Sequence, residues 1–219
     1  MLRLLFSKTG NAIWISHLDT MRLFQRAFKR SGFHLKHTQG FNPRPSVSIA
    51  LPLSVGVESL CELLDFDLED QNVSCAEVKE KLNTNLIDGI HVIEVYEQGA
   101  KLKNLKYLQC EIDLEYDHGI PDALEYTIDE LFGQNELWMD KKSKNGVVSQ
   151  NIIPMIQSIN VQRLNGQALR INAVISCQEP SLNPTQLSGA VTKYLPQCTP
   201  NFVRFRRCQL FNSENQVFR

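Results

Sequence analysis

The sequence predicts an α+β fold of two ferredoxin-like halves with antiparallel sheets. Three observations carry this. Residues 1–97 alternate between strand and helix periodicity in the order β-α-β-β-α-β. A polar stretch follows, EQGAKLKN, whose residues 98–104 read as a linker. The same order then returns, less regularly, over residues 105–212. No apolar run reaches the roughly 20 residues that span a bilayer, so a cytoplasmic protein with no membrane contact is expected.

In the first half, Leu2 to Phe6 reads as a strand, with a turn at Thr9-Gly10-Asn11 and an extended piece through Ile15. Ser16-His17-Leu18-Asp19 matches a capping box, and the helix it opens runs to about Arg30, with Gly32 as the stop. Thr20, Met21, Phe24, Ala27 and Phe28 share one side of that helix; Arg22, Arg26, Lys29 and Arg30 share the other. Phe33 to His37 fits a short strand. Gly40, Pro43 and Pro45 then enforce a loop. Ser46–Leu53 and Leu60–Leu68 alternate as strands, Ser74 caps a helix to about Leu86, and Ile90 to Val95 is a strand.

In the second half, Leu105 to Glu115 is a long strand and Pro121 opens a helix to about Phe132. A hairpin follows with Asn145-Gly146 at its tip. Residues 152–159 read as one or two helical turns. Val161–Leu164 and Ala168–Cys177 pair across Asn165-Gly166, read as a type I′ turn. Asn183-Pro184 opens a helix to Leu195, Phe202 to Phe211 closes the sheet, and the last eight residues are expected to fray.

The net charge of −1 hides an asymmetry. Residues 1–45 hold Arg3, Lys8, Arg22, Arg26, Lys29, Arg30, Lys36 and Arg44 against Asp19 alone, a local charge of +7. Such a block points to a phosphate-rich partner, or to a solvated helix face. Lys141, Lys142 and Lys144, with Arg204, Arg206 and Arg207, add basic residues in the second half. Six cysteines, none in CxxC spacing, read as buried reduced thiols. A CxxxCxxC triplet is absent, and so are P-loop, GxGxxG, HExxH and GxSxG motifs; no cofactor and no metal are expected of this chain.

Three groups of residues could carry chemistry. His17, at a helix N-terminus, can serve as a general base or acid, or pack as a structural histidine beside Met21 and Phe24. In the loop from Thr38 to Pro45, Gly40 permits close backbone approach and Phe41 offers a stacking platform. Arg44 offers a phosphate contact, and Gln39 and Asn42 can read base edges. The alternative is a rigid crossover with Phe41 plugging the core. Glu58, Glu62 and Asp65 either supply carboxylates to the cleft of the basic helix or pair with Arg22, Arg26 or Lys29.

At SHLDTMRLFQRAFKRSG, TQGFNPRPSVSIALPLSVGVES and CELLDFDL the chain resembles the radical-SAM-linked family of unknown function. Its members stand alone or form the C-terminal domain of cobalamin-binding-type radical SAM proteins. Motif order and spacing agree over residues 1–95. Where the family places an Asp–Arg pair before a proline, this chain has Asn151-Ile152-Ile153-Pro154. The resemblance implies a bacterial protein working beside a radical SAM enzyme. The motif positions it carries over are Ser16, His17, Leu18, Asp19, Arg22, Arg26 and Arg30, then Gln39, Gly40, Phe41, Asn42 and Pro43, and Gly56, Ser59, Glu62 and Asp65. A looser likeness, of fold only, is to the RAMP-class CRISPR endoribonucleases.

These readings converge on an accessory protein that binds a structured RNA (tRNA or rRNA), or another anionic substrate, for a partner enzyme. The expected contacts are Ser16, Asp19, Arg22, Arg26, Arg30, Gln39, Gly40, Phe41, Asn42, Arg44, Glu62 and Asp65. A metal-independent ribonuclease or transferase using His17, or a protein–protein adaptor without RNA, are the alternatives.

Overall fold

The computed structural model describes residues 1–70, 72–97, 99–143 and 146–219. It is a mixed α+β protein with four α-helices among the described residues, its strands pairing antiparallel. The chain forms two compact units, Met1–Leu102 together with Arg219, and Lys103–Phe218.

The first unit runs β1 (Leu2–Lys8), α1 (His17–Arg30), β2 (Val47–Ile49), β3 (Val57–Phe66), α2 (Cys75–Asn83) and β4 (Ile90–Glu97). The strands lie in the order β4-β1-β3, with β2 on β3. Alternation on β1 and β3 sends Leu4, Phe6, Leu64 and Phe66 to one face, where the apolar side of α1 lies. Phe6 meets Phe24 edge-on with ring centroids 4.7 Å apart, and Phe28 meets Phe66 at 4.8 Å. Thr20, Phe24, Ala27 and Phe28 are buried as the helical spacing predicts.

The ends of α1 are fixed by its own residues. Ser16 Oγ accepts from the Asp19 backbone N–H and donates to Asp19 Oδ2 at 2.7 Å. The carboxylate of Asp19 is therefore engaged by the hydroxyl. An aspartate is one methylene shorter than the glutamate of the usual reciprocal box. At the other end Gly32 takes φ +80°, Phe33 N–H reaches Phe28 O and Gly32 N–H reaches Lys29 O, a Schellman closure.

Several local expectations change. Residues 10–14 form a 3-10 turn, which takes in Gly10 and Asn11 of the expected turn and continues where an extended piece was expected. Residues 33–37 form only isolated bridges, Leu35 to Leu68 and His37 to Pro45. The second strand stops at Ile49, because Leu51 turns to φ +48° ahead of Pro52.

The second unit runs β5 (Leu105–Glu115), α3 (Leu124–Phe132), a hairpin of β6 (Trp138–Ser143) and β7 (Gly146–Asn151), β8 (Ile156–Arg163), β9 (Ala168–Ser176), α4 (Pro184–Tyr194) and β10 (Phe202–Asn212). Its sheet order is β10-β5-β9-β8, and β6-β7 pair separately. With that hairpin set aside, connectivity and strand order repeat those of the first unit. The core joins Ile112, Leu114 and Ile171 of the strands to Leu124, Ile128 and Leu187 of the helices.

Here too boundaries move. The helix predicted from Pro121 begins at Leu124, because Ala123 sits in the left-handed region at φ +56°. Residues 153–155 make a single 3-10 turn and the chain is a strand from Ile156. Residues 164–167 connect β8 to β9, with Asn165 Oδ1 accepting from Gln167 N–H, so the junction is longer than a two-residue type I′ turn. Lys144 and Asn145 lie outside the described residues. The predicted fraying of the C-terminus does not occur. Phe218 is buried, its N–H donates to Leu210 O, and Arg219 pairs with Glu94 at 3.1 Å.

Arg204 and Arg206, read as basic surface, belong to a charge-paired ladder. Arg206 meets Glu111 at 3.1 Å, Arg204 meets Glu115, and Arg170 bridges Glu111 and Asp113. Arg207 is buried. These arginines sit on β10 and β9 opposite the carboxylates of β5, which linear reading could not reveal.

Two predictions follow from these contacts. Arg3 is almost fully buried and grips Asp65 through Nε and Nη2, at 2.6 and 2.9 Å. Asp65→Ala removes the carboxylate facing that buried charge, and urea unfolding is expected to show a loss of ~3–5 kcal/mol, much of it recovered in Arg3→Met/Asp65→Leu.

Burial pushes the thiols of Cys177 and Cys208 up to about 11 and that of Cys110 to about 12. In the unfolded chain a thiol loses its proton near 9, so above that pH the unfolded state binds fewer protons. The stability these thiols contribute is complete below about pH 9 and falls as pH rises towards 11–12. Tyr116, also raised by burial, adds the same sign, and Lys8, lowered by burial, the opposite one. Thermal melts are expected to fall over this range, and less steeply in Cys110→Ala/Cys177→Ala/Cys208→Ala. Full thiolate absorbance from the native protein at the ordinary thiol pH would refute the assignment.

Candidate functional site

The apolar stripe of α1 is seated on the sheet, so its cationic side faces solvent. Arg22, Arg26, Lys29 and Arg30 are all exposed. Among the described residues, two of them make side-chain hydrogen bonds within the protein. Arg22 donates to Asp19 Oδ1 at 2.9 Å, and Arg30 donates to Asn85 O at 2.5 Å. The hydrogen bonds from Ser16 and Arg22 hold the Asp19 carboxyl below the usual carboxylate range.

Arg26 and Lys29 instead border a groove of about 420 Å³. Its other described walls include Gln25, His34, His37 and Pro45, with Phe33 and Leu35 among the apolar lining and Glu69 as a carboxylate. The segment carrying the histidines is held in place by its backbone. Glu69 N–H donates to His34 O and Lys36 N–H to Asp67 O, both at 2.9 Å. Phe33 and Leu35 are buried, whereas His34 and His37 are exposed.

The loop expected to stack and to contact phosphate rises from one wall of this groove. Its neck is closed by the His37–Pro45 bridge, by Thr38 N–H to Arg44 O at 2.8 Å, and by Arg44 N–H to Thr38 Oγ1 at 3.0 Å. Gln39, Gly40, Phe41, Asn42 and Arg44 are exposed beyond that neck. Gly40 adopts φ +139°, which side chains rarely adopt. Phe41 has a relative exposure of 108%, so it does not plug the core.

His17 and Glu62 belong to a different place. They line a cavity of about 10 Å³ with Lys8, Thr20 and Phe6, room for about one water. Lys8 is nearly inaccessible, and its ammonium donates to Ile15 O at 2.6 Å and Ile13 O at 3.3 Å. It thereby ties the 3-10 turn to the start of α1, and burial lowers its pKa, with Glu62 acting the other way. Nothing in the local sequence marked Lys8 as buried, since a lysine ending a strand normally faces water.

The carboxylates proposed for the cleft do not reach the groove. Glu62 is buried in the wall of the small cavity and Asp65 is held by Arg3. Lys36 lines another hollow, of about 330 Å³, with Asp67, Asp70 and Glu97. Among the described residues no group of three His, Cys, Asp or Glu side chains could hold a metal ion. No described helix is long and apolar enough to cross a membrane.

The fold is similar to that of a chain in a solved Cbf5–Nop10–Gar1 complex, at 9% identity and a TM-score of 0.50. That match covers 95% of this chain and 48% of the other, so the protein spans about half the length of its solved counterpart. A second solved structure, an unknown protein from Galdieria sulphuraria, is 8% identical with a TM-score of 0.26, covering 94% and 95% of the two chains. No curated protein matches the sequence. Residues 1–184 match the model of the bacterial family described as "Uncharacterized protein conserved in bacteria (DUF2344)", and the chain belongs to that family.

Proposed function

We propose that the protein binds RNA through α1 and the loop at 38–45, presenting it to a partner enzyme. One observation carries this reading. Arg26, Lys29, His34 and His37 line a groove of about 420 Å³, and the loop whose neck residues His37 and Pro45 stand in its wall carries an exposed aromatic side chain, Phe41. Fixed cations at a concave surface attract a phosphate backbone and release its counterions, and an aromatic ring beside them accepts a base.

The partner proposed is a radical SAM enzyme, on the resemblance of the segments around Ser16–Gly32 and Thr38–Ser59, and the setting proposed is the bacterial cytoplasm. The two units are read as ferredoxin-like, supported by the strand orders β4-β1-β3 with β2 on β3, and β10-β5-β9-β8. His17 is given no catalytic part in this reading, because the cavity it lines has room for a water and not for a nucleotide.

The test is binding of cellular tRNA and rRNA fragments across a salt titration. Arg26→Ala/Lys29→Ala is expected to weaken binding and to lower the slope of log K against log salt by ~0.7–0.9 per lost phosphate contact. Both residues are exposed, so circular dichroism is expected to be unchanged. Binding indifferent to salt, or unaffected by the double substitution, would overturn the proposal. His17→Ala is expected to leave affinity within about twofold, since its cavity is separate from the groove.

A further inference from the structure

We infer that the RNA taken by this groove is unpaired, and that one of its bases stacks on Phe41. The inference rests on the RNA reading above and names the form of its ligand.

Phe41 is the most exposed of the large apolar side chains, and it contributes nothing to the core. The neck of its loop is closed by the His37–Pro45 bridge and the two Thr38–Arg44 hydrogen bonds. Those same residues link it to the groove: His37 and Pro45 are both in the groove wall. An exposed ring on a loop whose neck borders the groove of Arg26 and Lys29 is complementary to a base whose own phosphates run along those two residues.

A duplex does not offer such a base. In an A-form helix the bases are stacked on each other, the major groove is too deep and narrow for side chains, and the minor groove shows sugar hydroxyls and base edges. Phe41 has no hydrogen-bonding atom to spend on those edges. An unpaired strand presents base faces at little cost, and every base has one, so the contact is tolerant of sequence. Gln39 and Asn42 flank the ring with amide donors and acceptors, which suits a further preference among bases.

The experiment compares the full chain and its Phe41 variants for binding to single-stranded poly(A), to single-stranded poly(U) and to the poly(A)·poly(U) duplex. The unpaired strands are expected to bind more tightly than the duplex. Phe41→Ala is expected to weaken single-strand binding by about 5- to 150-fold, the range for loss of one base stack. Its salt slope is expected to stay unchanged, because no phosphate contact is removed. Phe41→Trp is expected to restore affinity and to show tryptophan quenching with the single strands, whereas Phe41→Leu does not restore it. Equal binding of single strand and duplex, with Phe41→Ala unaffected, would overturn this inference and leave the RNA reading standing. No binding of any of the three polymers would remove both.

Discussion

The seating of α1 on its sheet is the constraint from which the candidate site derives. Phe24 and Phe28 are fully buried against Phe6 and Phe66, and each is worth about 1.5–3 kcal/mol of hydrophobic burial. With that stripe fixed, helical geometry leaves Arg22, Arg26, Lys29 and Arg30 no choice but the solvent side. The Schellman closure at Gly32 then directs the chain back along the sheet, where Phe33 and Leu35 are buried and His34 and His37 are exposed. The groove is a consequence of apolar packing beneath it.

Folding redistributes the positive charge of the first 45 residues. Arg3 is consumed by Asp65 and the backbone of Ala100, Lys8 by carbonyls at Ile13 and Ile15, and Lys36 turns to a hollow lined by carboxylates. Arg22 and Arg30 have partners of their own. The cations left to the groove are Arg26 and Lys29, with Arg44 on the loop above it. On the RNA binding proposed above, a surface of this size would make a few phosphate contacts.

The two units reuse one connectivity with different chemistry on their sheets. In the first, the Arg3–Asp65 pair crosses adjacent strands. In the second, Arg170, Arg204 and Arg206 alternate with Glu111, Asp113 and Glu115 across three strands. Cross-strand pairs of this type fix register as well as adding stability, since a one-residue slip would place like charges and apolar residues on the wrong face.

Much of the fold was legible because it rests on local periodicity. The period of α1, its Ser16 cap and its Gly32 stop determined a cationic amphipathic helix, and alternation determined β1, β3 and β4. Gly40, Pro43 and Pro45 determined that the segment after it is a loop. Boundaries set by single backbone conformations, such as Leu51 and Ala123 at positive φ, left no mark in composition. Pairings between distant residues were decided by the tertiary structure alone. Whether Phe41 plugs the core or stands in solvent, whether Asp65 faces α1 or Arg3, and whether the last residues fray or return to Leu210 all depend on which strands become neighbours. A linear pattern specifies which way a side chain turns on its own element, and only the assembled sheet supplies what it meets.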